Sequence, residues 1–376
     1  MMMLPFFRLM AEHAASDTFY TGGAPVQIKI DGVLRAVGDK VLGHEQVQQL
    51  AYSLMDADEI ARFERDLEMN FARQAEGLGN FRVNLFRQRG QVAMVVRRIA
   101  PKAPDLDELN LPQSLQSLVG LKRGLIVVAG ATGSGKSSTV AALIEQRKRT
   151  QSGHILTVED PVEYLFEHGR SIVNQREIGL DTHSYGSALK NAMREAPDVL
   201  MIGEIRDAET LTHAINYAQS GHLCITTFHA SNSYHMLNRM ISFFPPQTRE
   251  ALLMDLSQAL KAVISQRLLP STGGKLIPAV ELMLNTPHIG ELIRAGEIDK
   301  IKDAIEATLA EGAQTFEQAL FRLYNSGQIT LDEAMKNADS PTNLYWLVNN
   351  NENAKRPSTG AAQEAAPDFD GFILNQ

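Results

Sequence analysis

The run Gly130-Ala131-Thr132-Gly133-Ser134-Gly135-Lys136-Ser137 fits G-x-x-x-x-G-K-[ST] at every fixed position. Its chemistry is phosphate binding. Gly130, Gly133 and Gly135 let the backbone turn tightly, so that successive N–H groups face phosphate oxygens. Lys136 is placed to reach the β- and γ-phosphates, and the Ser137 hydroxyl to reach Mg²⁺. The setting this chemistry needs is present. The apolar run from Leu125 to Ala129 reads as a strand entering the loop, and Val140, Leu143 and Ile144 give the following helix a core-facing stripe. That helix's N-terminus adds a favourable dipole for an anion.

Acids follow at two further strand ends. Ile155-Leu156-Thr157-Val158 runs into Glu159-Asp160-Pro161-Val162-Glu163. In a parallel sheet the loop at a strand's carboxyl end faces the ligand crevice. Three carboxylates there would repel a triphosphate unless Mg²⁺ or an ordered water lay between. Glu163 is placed to orient a water toward the γ-phosphorus, with Glu159 or Glu204 as alternatives and a solvated acidic turn as the bland reading. Val199-Leu200-Met201-Ile202-Gly203 leads into Glu204, where phosphate-loop enzymes commonly place an Asp to hold Mg²⁺ or its waters. The longer Glu204 points to contact through water. His222 and His229 flank the strand from Leu223 to Thr227, roughly 20 Å apart along extended chain, too far to share a metal. A parallel strand brings His229 to the nucleotide side, where it can report a γ-phosphate, and leaves His222 at the far end with a structural role.

The elements that must position these groups divide the chain. Alternating runs at Val26–Ile30 and Val33–Val37, joined by Asp31-Gly32, and at Phe81–Phe86 and Val92–Ile99 predict a small antiparallel sheet. Two short helices, from His44 to Met55 and from Ala57 to Leu67, complete an α+β module over residues 1–100. The paired prolines Pro101 and Pro104 mark a linker, 101–112. From 113 to 349 short apolar strands alternate with longer helices, the pattern of a parallel α/β sheet, and the chain becomes mostly helical after Pro287, with Phe316, Leu320 and Leu323 on one face. Residues 350–376 read as a mobile tail ending in an apolar patch, Phe369 to Leu374.

Composition narrows the class. Of 376 residues, 44% are apolar and 21% charged, which excludes a collagen-like, coiled-coil or largely disordered chain. The net charge of −8 and the lack of an aromatic–basic tract count against a nucleic-acid partner. No apolar run approaches a membrane span, and the N-terminus lacks a secretory pattern, so a cytoplasmic protein is expected. Cys224 is the single cysteine, so an internal disulfide or a Cys-based zinc site cannot form.

Taken in order, these motifs resemble the PilT/PilU branch of the secretion ATPases. The carrying segments are GATGSGKSST (130–139), ILTVEDPVEYLF (155–166, the family's Asp box), VLMIGEIRD (199–207, its Walker B) and GHLCITTFHASNS (221–233, its His box). SDTFYTGGAPVQIKIDGVLR, LIRAGE, QTFEQALFRLYNSGQIT and AMKNADSPTNL add to them, so the likeness runs from about residue 10 to 345. It implies a RecA-like phosphate-loop core, a smaller PAS-like N-terminal domain, ATP and Mg²⁺ as ligands, and a homo-hexamer. Carried over, Gly130, Thr132, Gly133, Ser134, Gly135, Lys136, Ser137 and Ser138 bind the nucleotide, Ser137 and Glu204 hold Mg²⁺, and Glu163, Glu204 and His229 serve catalysis. Arg82, Arg98 and Arg206 are the arginines considered for action across a subunit interface. Ala196, where the retraction type reads REDPD, together with FHASNS and the terminal FILNQ, is more similar to the accessory PilU type. The family's implied role is type IV pilus retraction in twitching motility, at the cytoplasmic face of the inner membrane, with a platform protein and a paralogous ATPase as partners. A nucleotide-gated scaffold with little turnover, and an assembly or type II secretion ATPase lacking the four-cysteine zinc module, are the alternatives.

Overall fold

A buried parallel strand must be apolar on both faces, and Gly124–Gly130 meets that demand at every position. In the computed structural model, which describes residues 2–30, 32–100 and 102–355, this strand lies inside the larger of two sheets. Asp31, Pro101 and the tail residues 356–376, including Phe369 to Leu374, lie outside the described residues, so the expectations for them stand as sequence readings.

The N-terminal domain starts with helix α1 (Leu4–Glu12) and continues through β1 (Asp17–Tyr20), β2 (Pro25–Ile30) and β3 (Val33–Val41). Helices α2 (His44–Tyr52) and α3 (Ala57–Asp66) precede β4 (Glu68–Ala75), β5 (Gly79–Gln88) and β6 (Gln91–Arg98). The strands form an antiparallel sheet in the order β3-β2-β1-β6-β5-β4. Ile30 pairs with Val33, so β2 and β3 are neighbouring antiparallel strands as the two alternating runs predict. One face carries the core. Phe7 of α1 stacks on Phe81 of β5 at 4.1 Å, and both are fully buried, each worth about 1.5–3 kcal/mol of burial.

The second domain comprises α4 (Leu115–Val119), β7 (Gly124–Gly130), α5 (Lys136–Thr150), β8 (Gly153–Glu159), β9 (Ser171–Glu177), α6 (Tyr185–Ala192), β10 (Val199–Ile202), α7 (Ala208–Gln219) and β11 (Leu223–Phe228). It continues through α8 (Ser233–Ser242), α9 (Arg249–Ala259), β12 (Leu260–Pro270) and β13 (Leu276–Leu284). The sheet order is β13-β12-β7-β11-β10-β8-β9, parallel throughout except for β13. Alternation along β7 feeds two cores: Leu125, Val127 and Ala129 pack with α7 and α9, while Ile126 and Val128 pack with α4 and α5. Leu106 and Leu111, from the proline-bracketed stretch, join the second of these. Helices α10 (Pro287–Ala295), α11 (Ile301–Ala307), α12 (Phe316–Asn325), α13 (Leu331–Lys336) and α14 (Pro341–Lys355) finish the described residues. α14 is helical through 350–355, where the sequence reading starts a mobile tail. Phe316 and Leu320 bury against Leu269 and Ile277 of the β12–β13 pair. Among the described residues no helix is long and apolar enough to cross a membrane.

Candidate active site

Four strands release their chemistry at the same edge of the sheet. β7, β11, β10 and β8 lie side by side in that order and run parallel, so their carboxyl ends and the segments after them deliver Lys136, His229, Glu204 and Glu159 to one cleft. Thr132, Gly133, Ser137 and Glu163 line it as well.

The phosphate loop is held from below. Gly133 and Gly135 have φ of +78° and +88°, a conformation that glycine adopts without cost. A Cβ on Gly130 would meet the Ser134 Oγ at 2.2 Å and the Gln266 carbonyl oxygen at 2.8 Å, so the backbone packs too closely there for any side chain. Gln266, on β12, also accepts a 2.6 Å hydrogen bond from the Thr139 hydroxyl and so ties the loop's helix to the next strand. Lys136 is 8% exposed, and its Nζ donates to the carbonyls of Gly130 (2.9 Å) and Ala131 (2.8 Å). It makes no ion pair among the described residues, and burial lowers its pKa. The buried Ser134 hydroxyl has no partner. A buried cation without a counter-charge, beside an orphan hydroxyl and a glycine turn, fits an arriving phosphate. Among the described residues no three acids or histidines gather to hold a cation unaided, so Mg²⁺ fits here only with phosphate oxygens beside the Ser137 hydroxyl.

The acid loop is held from the side. Glu159, 4% exposed, accepts hydrogen bonds from the Thr157 hydroxyl (2.7 Å) and from Gln175 Nε2 (3.1 Å). Burial raises its pKa, and these bonds oppose the rise. Gln175, on β9, also donates to the Tyr164 carbonyl (2.9 Å) and accepts from the Phe166 N–H (2.9 Å). Tyr164 in turn shares a 2.7 Å hydrogen bond with the Ser138 hydroxyl, which is thus engaged by protein. Glu163 is half-buried at the cleft wall and makes no ion pair among the described residues. That leaves its carboxylate available to a water.

Glu204 is engaged on both oxygens, by the Arg206 guanidinium and by the His229 ring at 3.1 Å. Thr227 fixes the strand end with a 2.6 Å bond to the Gly203 carbonyl. Burial first, then the charges of Lys136, Arg239 and Arg206, lower the His229 pKa, so the ring is neutral near pH 7. His222 sits at the other end of β11, bonded to the Ser220 hydroxyl (3.0 Å) and tilted against Tyr217, in the structural role expected of it. Of the three arginines, Arg206 lies in the cleft, Arg82 pairs within the chain with Glu177 at 2.6 Å, and the Arg98 Nε is buried without a partner. Gln175, Gln266, Tyr164 and Thr227 escaped the sequence reading. Residues Ser171-Ile172-Val173-Asn174-Gln175 show no apolar–polar alternation, so the sequence carries no periodic signal for a strand there.

The model of the type II/IV secretion system protein family matches residues 10–361. The chain is 45% identical to the type IV pilus ATPase PilU of Pseudomonas aeruginosa over 91% of its own length and 90% of that protein's. It is 36% identical to the type IV pilus retraction ATPase PilT of the same organism, covering 89% of this chain and 97% of the relative. The crystal structure of the pilus retraction motor PilT with bound ADP superposes with a TM-score of 0.85 at 38% identity, over 91% of this chain and 98% of that one. The expected α/β fold with its RecA-like core and N-terminal domain is therefore borne out, and the chain belongs to the type II/IV secretion system protein family as a type IV pilus ATPase of the PilT/PilU branch.

Proposed function

We propose that this ATPase works as a homo-hexameric motor that drives or assists type IV pilus retraction, and that it acts peripherally at the inner membrane, at the pilus base. Lys136, Ser134 and the loop glycines take the triphosphate of Mg-ATP, and Ser137 meets the metal, with Glu204 acting on it through water. Glu163 orients the attacking water, a task of positioning more than of strong basicity. His229, neutral and bonded to Glu204, senses whether a γ-phosphate is present. Turnover reorients the N-terminal domain about the Pro101–Pro104 linker, and the ring passes that motion to a membrane platform protein, alone or beside a paralogous retraction ATPase.

The observation that carries this reading is the convergence of an unpaired buried Lys136 with the free Glu163 carboxylate on one cleft. Complete catalytic groups have little purpose in a scaffold that only binds. The test mixes parent and Glu163→Gln protein in equal parts and measures turnover and particle size with ATP. If six subunits exchange freely, only about (1/2)⁶, roughly 2%, of closed rings are wholly parental. A coupled motor then loses far more than half its turnover, whereas a linear fall with mutant fraction rejects coupling.

A further inference from the structure

One carboxylate joins the N-terminal domain to the acid loop. Glu177, at the end of β9, accepts a 2.6 Å hydrogen bond on Oε1 from Arg82 Nη2, which belongs to β5 of the N-terminal domain. On Oε2 it accepts a 3.1 Å bond from the Val162 N–H, one residue before Glu163. The side chains of Arg82 and Glu177 are only 13% and 14% exposed, so water and salt screen the pair weakly. One further contact, and one charge acting at longer range, relate the same domain to the same loop. Ala100, where the N-terminal domain ends, pairs backbone to backbone with Tyr164, whose hydroxyl reaches Ser138 on the phosphate-loop helix. Arg97 of β6, held up in pKa chiefly by its bond to Asp17, also feels the charge of Glu163.

We propose that Glu177 is a positioning residue: it couples the seating of the N-terminal domain, through Arg82, to the placement of the loop that carries Glu163. When the domain is seated, the guanidinium neutralises Glu177, and its second oxygen pins Val162. When the domain swings away, a nearly buried carboxylate is left without its cation and must rearrange toward water, so the hold on Val162 loosens. A displacement of about 1 Å in a water-orienting group can cost on the order of a hundredfold in rate. Domain motion therefore gates hydrolysis with no group entering or leaving the cleft. This inference rests on the reading of Glu163 as the water-orienting group.

A merely structural ion pair would lower thermal stability and leave the split between binding and turnover alone. The experiment uses the full chain with spin labels on Glu76→Cys and Asn191→Cys, both exposed, while Cys224 is buried. Labelled subunits are diluted into unlabelled protein, and the distance between domains is read without nucleotide. Glu177→Gln, whose amide oxygen still accepts from Val162 but carries no charge, should broaden that distance distribution. Arg82→Gln, which leaves the Glu177 carboxylate without its cation, should lower kcat about tenfold or more while ATP affinity stays within about twofold. Arg82→Gln should broaden the distribution equally, from the other domain and independently of whether the Glu177 variant folds, and Arg82→Lys should restore it. An unchanged distribution in both Gln variants, or an unchanged kcat in Arg82→Gln, overturns the proposal. If Glu163→Gln itself keeps full turnover, the reading of Glu163 fails, and the distance measurement then decides alone whether the Arg82–Glu177 pair holds the domains.

Discussion

The phosphate loop and the acid loop face each other across one cleft, yet they are held by different parts of the molecule. Every support of the phosphate loop lies within the second domain: β7 before it, α5 after it, and Gln266 of β12 beneath it. The acid loop hangs from an edge strand, through Gln175 and Glu177 of β9, and leans on the N-terminal domain through Arg82 and Ala100. The difference teaches that the phosphate loop is supported by one domain and the acid loop by two, so on the proposed reading binding would depend on one domain and hydrolysis on both. A motor benefits from that split, because substrate is retained while the domains move.

Three substitutions probe the contrast. The largest effect is expected for Lys136→Ala, which removes the buried cation of the phosphate loop. ATP affinity should fall about a hundredfold, as for loss of charged hydrogen bonds worth about 1.5–3 kcal/mol each. Thermal stability should hardly change, since Lys136 bonds only to loop carbonyls. Equal affinity in titration calorimetry would break the assignment of that loop.

A smaller effect, of the opposite kind, is expected for Gln175→Leu. It removes the bonds to Glu159 and to the Tyr164 and Phe166 backbones and leaves the phosphate loop untouched. Turnover should drop about tenfold while ATP affinity stays within about twofold. Parallel losses in both would show that the two loops are not separately supported.

The smallest effect concerns pH. His229 has a lowered pKa when folded, so the unfolded chain takes up its proton first as pH falls through 6.5. Its contribution to stability is intact above that value and is lost below it. His229→Gln should therefore flatten slightly the fall in Tm between about pH 7.5 and 5.5. Because the side chain is 39% exposed, the change should be modest, and an unchanged slope would mean that neither burial nor the surrounding cations shift its titration.

The same contrast governs what could be read from sequence. The phosphate loop is local: eight consecutive residues and their flanking strand and helix carry all its chemistry, so Gly130 to Ser137 are legible at once. Strands β7, β8, β10 and β11 hold short continuous apolar or β-branched runs and announce themselves. The supports of the acid loop are distant in sequence and polar. β9 is an edge strand whose Asn174, Gln175 and Glu177 read as loop chemistry, and only the register with β8 brings them beside Glu159. β12 follows α9 without a turn residue between Ala259 and Leu260, so the switch from helix to strand gives no punctuation. α1, β1, β4 and β13 were also passed over, because short elements of mixed polarity show no clear period. From the sequence Arg82 is a candidate for action across a subunit interface, and its pairing within the chain with Glu177, 95 residues away, is a property of the fold alone.

The most direct test of the account separates binding from hydrolysis at Glu163 itself. ATP affinity and steady-state turnover are measured on the purified full chain and on Glu163→Gln. The amide keeps the shape of the side chain and leaves the phosphate loop unaltered, but it orients a water poorly. The account predicts affinity within about twofold of the parent and turnover reduced by about a hundredfold or more. Turnover equal to the parent's, or a loss of affinity that matches the loss of turnover, would contradict it.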